Sequence, residues 1–276
     1  MSHIPQPDSD LPDVIRFFAV DEVEQPNQLV RFLAVAKALP GVPEAKAEML
    51  ARLQPERAVA ALDVGCGHGA DVIELAKRLR PGGRATGIDA SETMIAEATR
   101  RAAGTGLSVT FRKGDALALP FEDDTFDICR VETVLQHLVD PDTAVMEMTR
   151  VTRPGGRIAA LEFDLATMYL DHPDPDLTET IWASYLHETV QTSMGRQLHR
   201  LFVNAGLSQV SSAPRVVTNN PHFIRLAVGH HVNQLCANGA LTPDRAAGWW
   251  TAMGEAAACG YYSGGVTAFV ASGTVG

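Results

Sequence analysis

Apolar positions along the chain keep helical spacing first, then shorter runs broken by glycine. Leu29, Phe32, Leu33 and Ala36 recur at helical spacing, and "LPGVPE" closes that segment with a proline and a glycine. "EAKAEMLARL" predicts a second, short helix. The pattern then changes. "AVAALDVG" is a brief apolar run that meets a glycine-rich turn, and Val72, Leu75, Ala76 and Leu79 form a helical stripe behind it. "RPGG" at 80–83 stops that helix and "RATGID" predicts the next strand. Ser91 is placed to cap the helix "SETMIAEATRRAA", with Glu92 favourable in its first turn.

The alternation continues through "VTFRKGD", "FDICRVE", the helix "PDTAVMEMTRVT" and "RPGGRIAALEFD". Strand and helix alternating across 59–164 predict a parallel sheet covered on both faces. After 164 the order loosens. Helices are expected at "LTETIWASYLHETV" and "GRQLHRLFVNAG", then a strand at "SQVSSAPRVVT". Further helices surround "RLAVGHHVNQLCA" and "DRAAGWWTAMGEAAA". The final "GVTAFVASGTV" alternates and is expected to lie beside "SQVSSAPRVVT". No internal repeat interrupts the chain.

Composition narrows the partners. The 276 residues are 46% hydrophobic, enough for a sizeable core. A net charge of −10 with no Lys/Arg run argues against nucleic acid or an anionic membrane as the main partner. Cys66, Cys129, Cys236 and Cys259 are scattered, as expected of reduced thiols in a cytoplasmic protein. The polar, proline-rich opening "MSHIPQPDSDLPDVIRFF" does not read as a signal peptide, and no apolar run approaches about 18 residues.

The stretch "LDVGCGHGADV" carries the chemistry. In an α/β sheet a ligand lies beyond the carboxyl end of the first strand, and glycines there let it approach the backbone. One reading is a dinucleotide fingerprint at Gly65, Gly67 and Ala70, with Asp89 as the ribose acid. A metal half-site at Cys66 and His68 lacks two further ligands at any recognisable spacing, so no metal is expected.

More of the chain fits another reading. Asp63-x-Gly65-x-Gly67-x-Gly69, the acid closing "GIDAS", the segment "GDALALPFEDDTFD" and "VLQHLVDPDTAVMEMTRVTRPGGRI" occur in order. Together they resemble the class I S-adenosylmethionine (SAM)-dependent methyltransferases, closely their ubiquinone/menaquinone-biosynthesis-like small-molecule branch. The resemblance covers roughly 58–164, with weaker likeness through "GRQLHRLFVNAGL"; His68 departs from it, standing where the family often has Thr or Ser.

The resemblance implies an α/β fold: a Rossmann-like, seven-stranded, mostly parallel sheet with an antiparallel last strand and helical cap insertions. A helical lid over 1–57, a SAM-binding core over 58–164 and a remainder over 165–276 are expected, with caps near 165–194 and 221–260. The implied cofactor contacts are Asp63, Gly65, Cys66, Gly67, His68 and Gly69 at the turn. Asp89, on both ribose hydroxyls, stands with Ala90 and Met94; Asp115, on the adenine amine, stands with Gly114 and Ala116; Val131, Glu132 and His137 follow. The chemistry agrees. SAM has no phosphate and the turn has no basic residue, while a diol and an amine suit carboxylate acceptors. Asp63 stands nearest the methionine end, where His68 could touch the cofactor carboxylate or guard the methyl-transfer cavity.

Methyl transfer from a sulfonium is an in-line displacement, so a protein mainly aligns donor and acceptor and removes a proton where needed. His137, just past the fourth strand, is the leading base, although it could simply pack near the cofactor. Glu162 and Asp164 are expected to end strand five and face the acceptor. Tyr169, Tyr185 and His187 are lid candidates, and Phe17 and Phe18 either fold over the cofactor or pack on the core. His230 and His231 read as a helix surface pair, one of which could line the substrate cavity. Trp249, Trp250, Met253, Tyr261 and Tyr262 read as core, or as an apolar acceptor pocket. The expected reaction is methylation at O, N or C of a small apolar or aromatic metabolite of the secondary-metabolite or quinone type. Its product would be S-adenosylhomocysteine, and an oligomer is possible. "VETV" stands where amino-methylating enzymes carry an Asn/Asp-Pro-Pro-aromatic tetrapeptide, which disfavours protein or RNA substrates. A SAM-binding cyclase and an NAD-type oxidoreductase are the alternatives.

Overall fold

The apolar run before the glycine turn forms β1 (Ala60–Val64), buried along its whole length. Such a strand can only sit centrally in a sheet covered on both faces. The computed structural model describes Asp21 and residues 26–276, and Phe17 and Phe18 lie outside the described residues. β2 (Arg84–Asp89) and β3 (Val109–Lys113) extend the sheet on one side of β1; β4 (Phe126–Glu132) and β5 (Thr152–Leu170) extend it on the other, all parallel. β7 (Gly264–Thr274) then runs antiparallel between β5 and β6 (Ser208–Thr218), giving the order β3-β2-β1-β4-β5-β7-β6. The expected pairing of the last two strands is therefore found.

The pleat sends alternate residues to opposite layers. Ala61, Ile128, Ala159, Leu161, Ala268 and Val270 face one layer of packed helices. That layer contains α2 (Val42–Leu53), α3 (Ala70–Ala76), α6 (Pro175–Glu188), α8 (Pro221–Ala237) and α9 (Pro243–Ala258). Leu62, Cys129, Ala160 and Ala271 face α5 (Pro141–Val151) and α7 (Met194–Asn204). α1 (Pro26–Lys37) lies against α2 and α8, and α4 (Glu92–Ala102) against β2 and β3. Ser91 caps α4 as its sequence predicts, accepting from the Met94 N–H at 3.1 Å.

β5 departs from expectation. It does not end at Asp164 but shifts register there and continues, pairing Tyr169 with Gly265 and Leu170 with Gly264. The long β7 supplies those partners, so the cap after the core begins as strand and only then becomes α6. Among the described residues no helix is long and apolar enough to cross a membrane.

Candidate active site

The carboxyl ends of β1, β2 and β4 open into a cavity of about 340 Å³ that continues beneath α1, α6 and α8. The glycine turn shapes its polar end. Gly65 has φ 68°, and a Cβ there would collide with the Val134 side chain. Gly67 has φ 49° and borders the cavity, with nothing within 4 Å of where its Cβ would stand. This backbone is open to a close-lying ligand in a way no other residue allows.

Asp89 fixes the turn from the next strand. Its Oδ2 accepts from the Gly67 N–H at 2.8 Å and its Oδ1 from the Ser91 N–H at 2.9 Å. Burial pushes the Asp89 pKa up while these two N–H groups pull it down, and the balance is upward. Asp21 sits alongside: its Oδ1 accepts from Ser91 Oγ at 2.6 Å and its Oδ2 from the Glu92 N–H at 2.9 Å. Asp21 is thereby tied to the end of the strand that carries Asp89.

A charged floor lies under the cavity, and pattern reading along the chain misses most of it. Asp63 on β1 and Arg130 on β4 are register partners, with Nε 3.3 Å from Oδ1. Two residues on, Glu132 returns to the same face and pairs with Arg130 and, at 3.1 Å, with Lys46 Nζ. Asp71, in the first turn of α3, takes Lys37 of α1 at 2.6 Å and Lys46 of α2 at 2.5 Å. Three carboxylates and three cations thus meet where five elements converge. Burial raises Asp63 to about 6 against the pull of Arg130. For Asp71 burial acts the same way, but Arg130, Lys37 and Lys46 outweigh it and hold the carboxylate ionised. The available sequence signals were an arginine inside the buried strand "FDICRVE" and an acid opening the helix behind the turn.

His68 is buried, with Nδ1 3.2 Å from Arg101 Nη1. A guanidinium can only donate, so Nδ1 accepts and the ring proton belongs on Nε2. Burial first, then Lys37 and Arg101, lower its pKa to about 4, so the ring is a neutral donor in the cavity wall. The Cys66 thiol, also buried, is pushed far up and stays protonated. Asp115 holds the loop after β3, accepting from the Leu117 N–H at 2.9 Å. Ala90, Met94, Gly114, Ala116, Glu132 and His137 also line the cavity, whereas Gly69 and Val131 stand behind it.

The other half of the wall is apolar: Leu161, Phe163, Leu165 and Met168 from β5, Trp182 and Tyr185 from α6, Phe223 and Ile224 from α8. From Leu161 to Leu165 the odd-numbered residues of β5 face the cavity, with Met168 joining them where the register shifts, and that parity corrects the expectation for Glu162 and Asp164. Both point to the opposite layer. Asp164 is fully buried in a two-point pair with Arg196, one contact being 2.8 Å. Glu162 Oε1 accepts from the N–H groups of Val134 and Leu135, each at 2.8 Å, and so clamps the short turn Leu135–His137 from below. Burial raises Glu162 to about 8.

His137 stands on that turn with its pKa lowered to about 4 by burial. Its Nε2 accepts from Gln136 Nε2 at 3.2 Å, so the basic nitrogen is already engaged. Of the lid candidates only Tyr185 lines the cavity; Tyr169 and His187 face outward. Trp249 is core, donating from Nε1 to Thr178 Oγ1 at 2.9 Å. Trp250 and Met253 pack with that core, and Tyr261 is exposed. Tyr262 donates to Asn219 Oδ1 at 2.5 Å, steadying a residue of the wall. His231 is buried edge-on to Tyr185, and neither it nor His230 reaches the cavity.

The fold and the glycine-turned strand end define a Rossmann-like class I methyltransferase architecture. A methyltransferase-domain family model matches residues 55–206. An uncharacterised 37.1 kDa protein in transposon TN4556 of Streptomyces fradiae is 38% identical over 170 residues, covering 61% of this chain and 49% of that protein. The chain thus spans about half the length of that relative. The demethylmenaquinone methyltransferase of Bacillus cytotoxicus is 35% identical over 170 residues, 56% of this chain and 72% of the relative. The solved [4+2]-cyclase SpnF shares the fold at TM-score 0.59 and 21% identity, over 94% of this chain and 97% of that one. The chain belongs to the methyltransferase-domain family, in its class I, quinone-biosynthesis-like branch. That membership also decides between the two readings of the glycine turn, in favour of SAM over a dinucleotide.

Proposed function

We propose that the protein transfers the methyl group of SAM to a small, largely apolar acceptor, a quinone-like or secondary metabolite, in the cytoplasm. The observation that carries this reading is the two-part cavity: a polar, carboxylate-rich strand end continuous with an apolar chamber roofed by α1, α6 and α8. The residues present fit the cofactor. Acceptor oxygens of Asp89 and Asp115 suit a ribose diol and an exocyclic amine, and the wall beside Gly67 would be filled by any side chain. When bound, SAM would supply an already activated methyl group.

The chain's own residues bind and align. In this reading the Gly65–Gly67 backbone and the neutral His68 donor receive the methionine end above the floor built by Asp63. Asp89 holds the ribose, and Asp115 with Ala116 the adenine. α1 brings Phe32, Leu33 and Ala36 over the chamber as the lid, excluding water. His137, which lines the cavity, is the group placed to receive a proton from an acceptor that must lose one.

Calorimetry and turnover test the proposal. The full chain is expected to bind SAM and S-adenosylhomocysteine and to ignore NAD. Incubation with SAM and a host metabolite extract is expected to give a product one methylene heavier together with S-adenosylhomocysteine. Asp89→Ala should abolish that binding. Turnover of a metabolite without S-adenosylhomocysteine would favour the cyclase chemistry named for SpnF; NAD binding without a response to SAM would sink the proposal.

A further inference from the structure

The apolar chamber carries one buried polar atom with nothing to bond. Gln136 is 8% exposed and lines the cavity, and its Oε1 has no hydrogen-bond partner among the described residues. Its other amide atom is committed, Nε2 donating to His137 Nε2 at 3.2 Å. What Gln136 offers is therefore an acceptor. The backbone beneath it is held firmly: Glu162 grips the N–H groups of Val134 and Leu135, and the Gln136 carbonyl accepts from the Gln191 N–H at 3.1 Å. The amide is thus presented from a fixed turn at the end of β4, where the carboxylate-rich and apolar parts of the wall meet.

We infer that Gln136 is the specificity-determining residue of the acceptor chamber, receiving a hydrogen bond from a hydroxyl or N–H group on an otherwise apolar acceptor. This rests on the methyl-transfer reading above. A buried oxygen without a donor has lost its bond to water and gained none in return, so a site of this kind selects strongly for the group that satisfies it. An acceptor carrying only lone pairs at that point would set oxygen against oxygen and be rejected. Hydrocarbon surfaces of Leu161, Phe163 and Leu165 supply apolar contact beside it.

The test uses the full chain loaded with S-adenosylhomocysteine and two matched probe pairs: 2-naphthol against naphthalene, and indole against indene. Calorimetry is expected to show the donor-bearing member of each pair binding about tenfold more tightly, the factor one such hydrogen bond supplies. Gln136→Leu should bring both ratios close to one. Equal affinities within both pairs for the parent protein, ratios unchanged by Gln136→Leu, or tighter binding of 2-methoxynaphthalene than of 2-naphthol would each overturn the inference. The parent ratios decide the matter even where the variant does not fold. Failure of S-adenosylhomocysteine to bind at all would instead count against the methyl-transfer reading.

Discussion

Asp63 and Arg130 stand in register on neighbouring strands, with the guanidinium Nε 3.3 Å from the carboxylate and both side chains nearly inaccessible to solvent. Arg130 also reaches Glu132, and at 4.0 Å Asp71, so one buried cation balances a floor that two lysines complete from above. The arrangement sets three carboxylates, matched by as many cations, under the polar end of the cavity.

Arg130→Met leaves three carboxylates facing two lysines. Removing one partner of a buried ionic network costs about 3–5 kcal/mol, and urea denaturation of parent and variant measures it. A loss below about 1 kcal/mol, the scale of exposed pairs, would show the floor to be solvated and replaceable.

Asp63 makes the site sensitive to pH. Burial raises its pKa from 3.8 to about 6, so the folded chain holds this proton more tightly than the unfolded one. Its contribution to stability therefore falls as pH rises from 3.8 through about 6, by up to about 1.4 kcal/mol per pH unit, and levels off above. SAM affinity should move oppositely, rising as Asp63 ionises. Calorimetry on either side of pH 6 checks this; Asp63→Asn should bind weakly and show no such step.

Glu162 titrates higher, raised from 4.5 to about 8, so its contribution to stability falls across that window. Glu162→Gln keeps an acceptor for the turn and removes the charge. It should match or exceed the parent in stability near pH 8 and lack the parent's decline. Glu162→Ala should lose about 1–3 kcal/mol for each N–H left unpaired. Thermal melts across the window separate the two variants.

The glycines of the turn should fail differently. Gly67→Ala places a methyl in open cavity at φ 49°, a backbone cost of about 1–2 kcal/mol. The fold should survive while SAM affinity drops at least tenfold. Gly65→Ala should destabilise more, because its methyl strikes Val134, and Val134→Ala should partly restore it. Melting temperature and calorimetry read the two effects separately.

The sequence by itself determined the sheet, the glycine turn, the acid closing β2 and the family. All are local: glycine at positive φ, an apolar run of strand length and a capped helix each express short-range sterics within a few residues. Only the tertiary structure decided which side of the sheet a side chain occupies. Glu162 and Asp164 end the recognisable motif, yet the pleat turns both away from the cavity, and the antiparallel β7 carries β5 on to Leu170. The charged floor joins Lys37 to Asp71 and Lys46 to Glu132 across long stretches of chain. Gln136 acquires its significance only when Glu162 lifts the turn beneath it. Such contacts follow from how layers pack, and hydrophobic period along a chain carries no information about which distant charge will be buried against which.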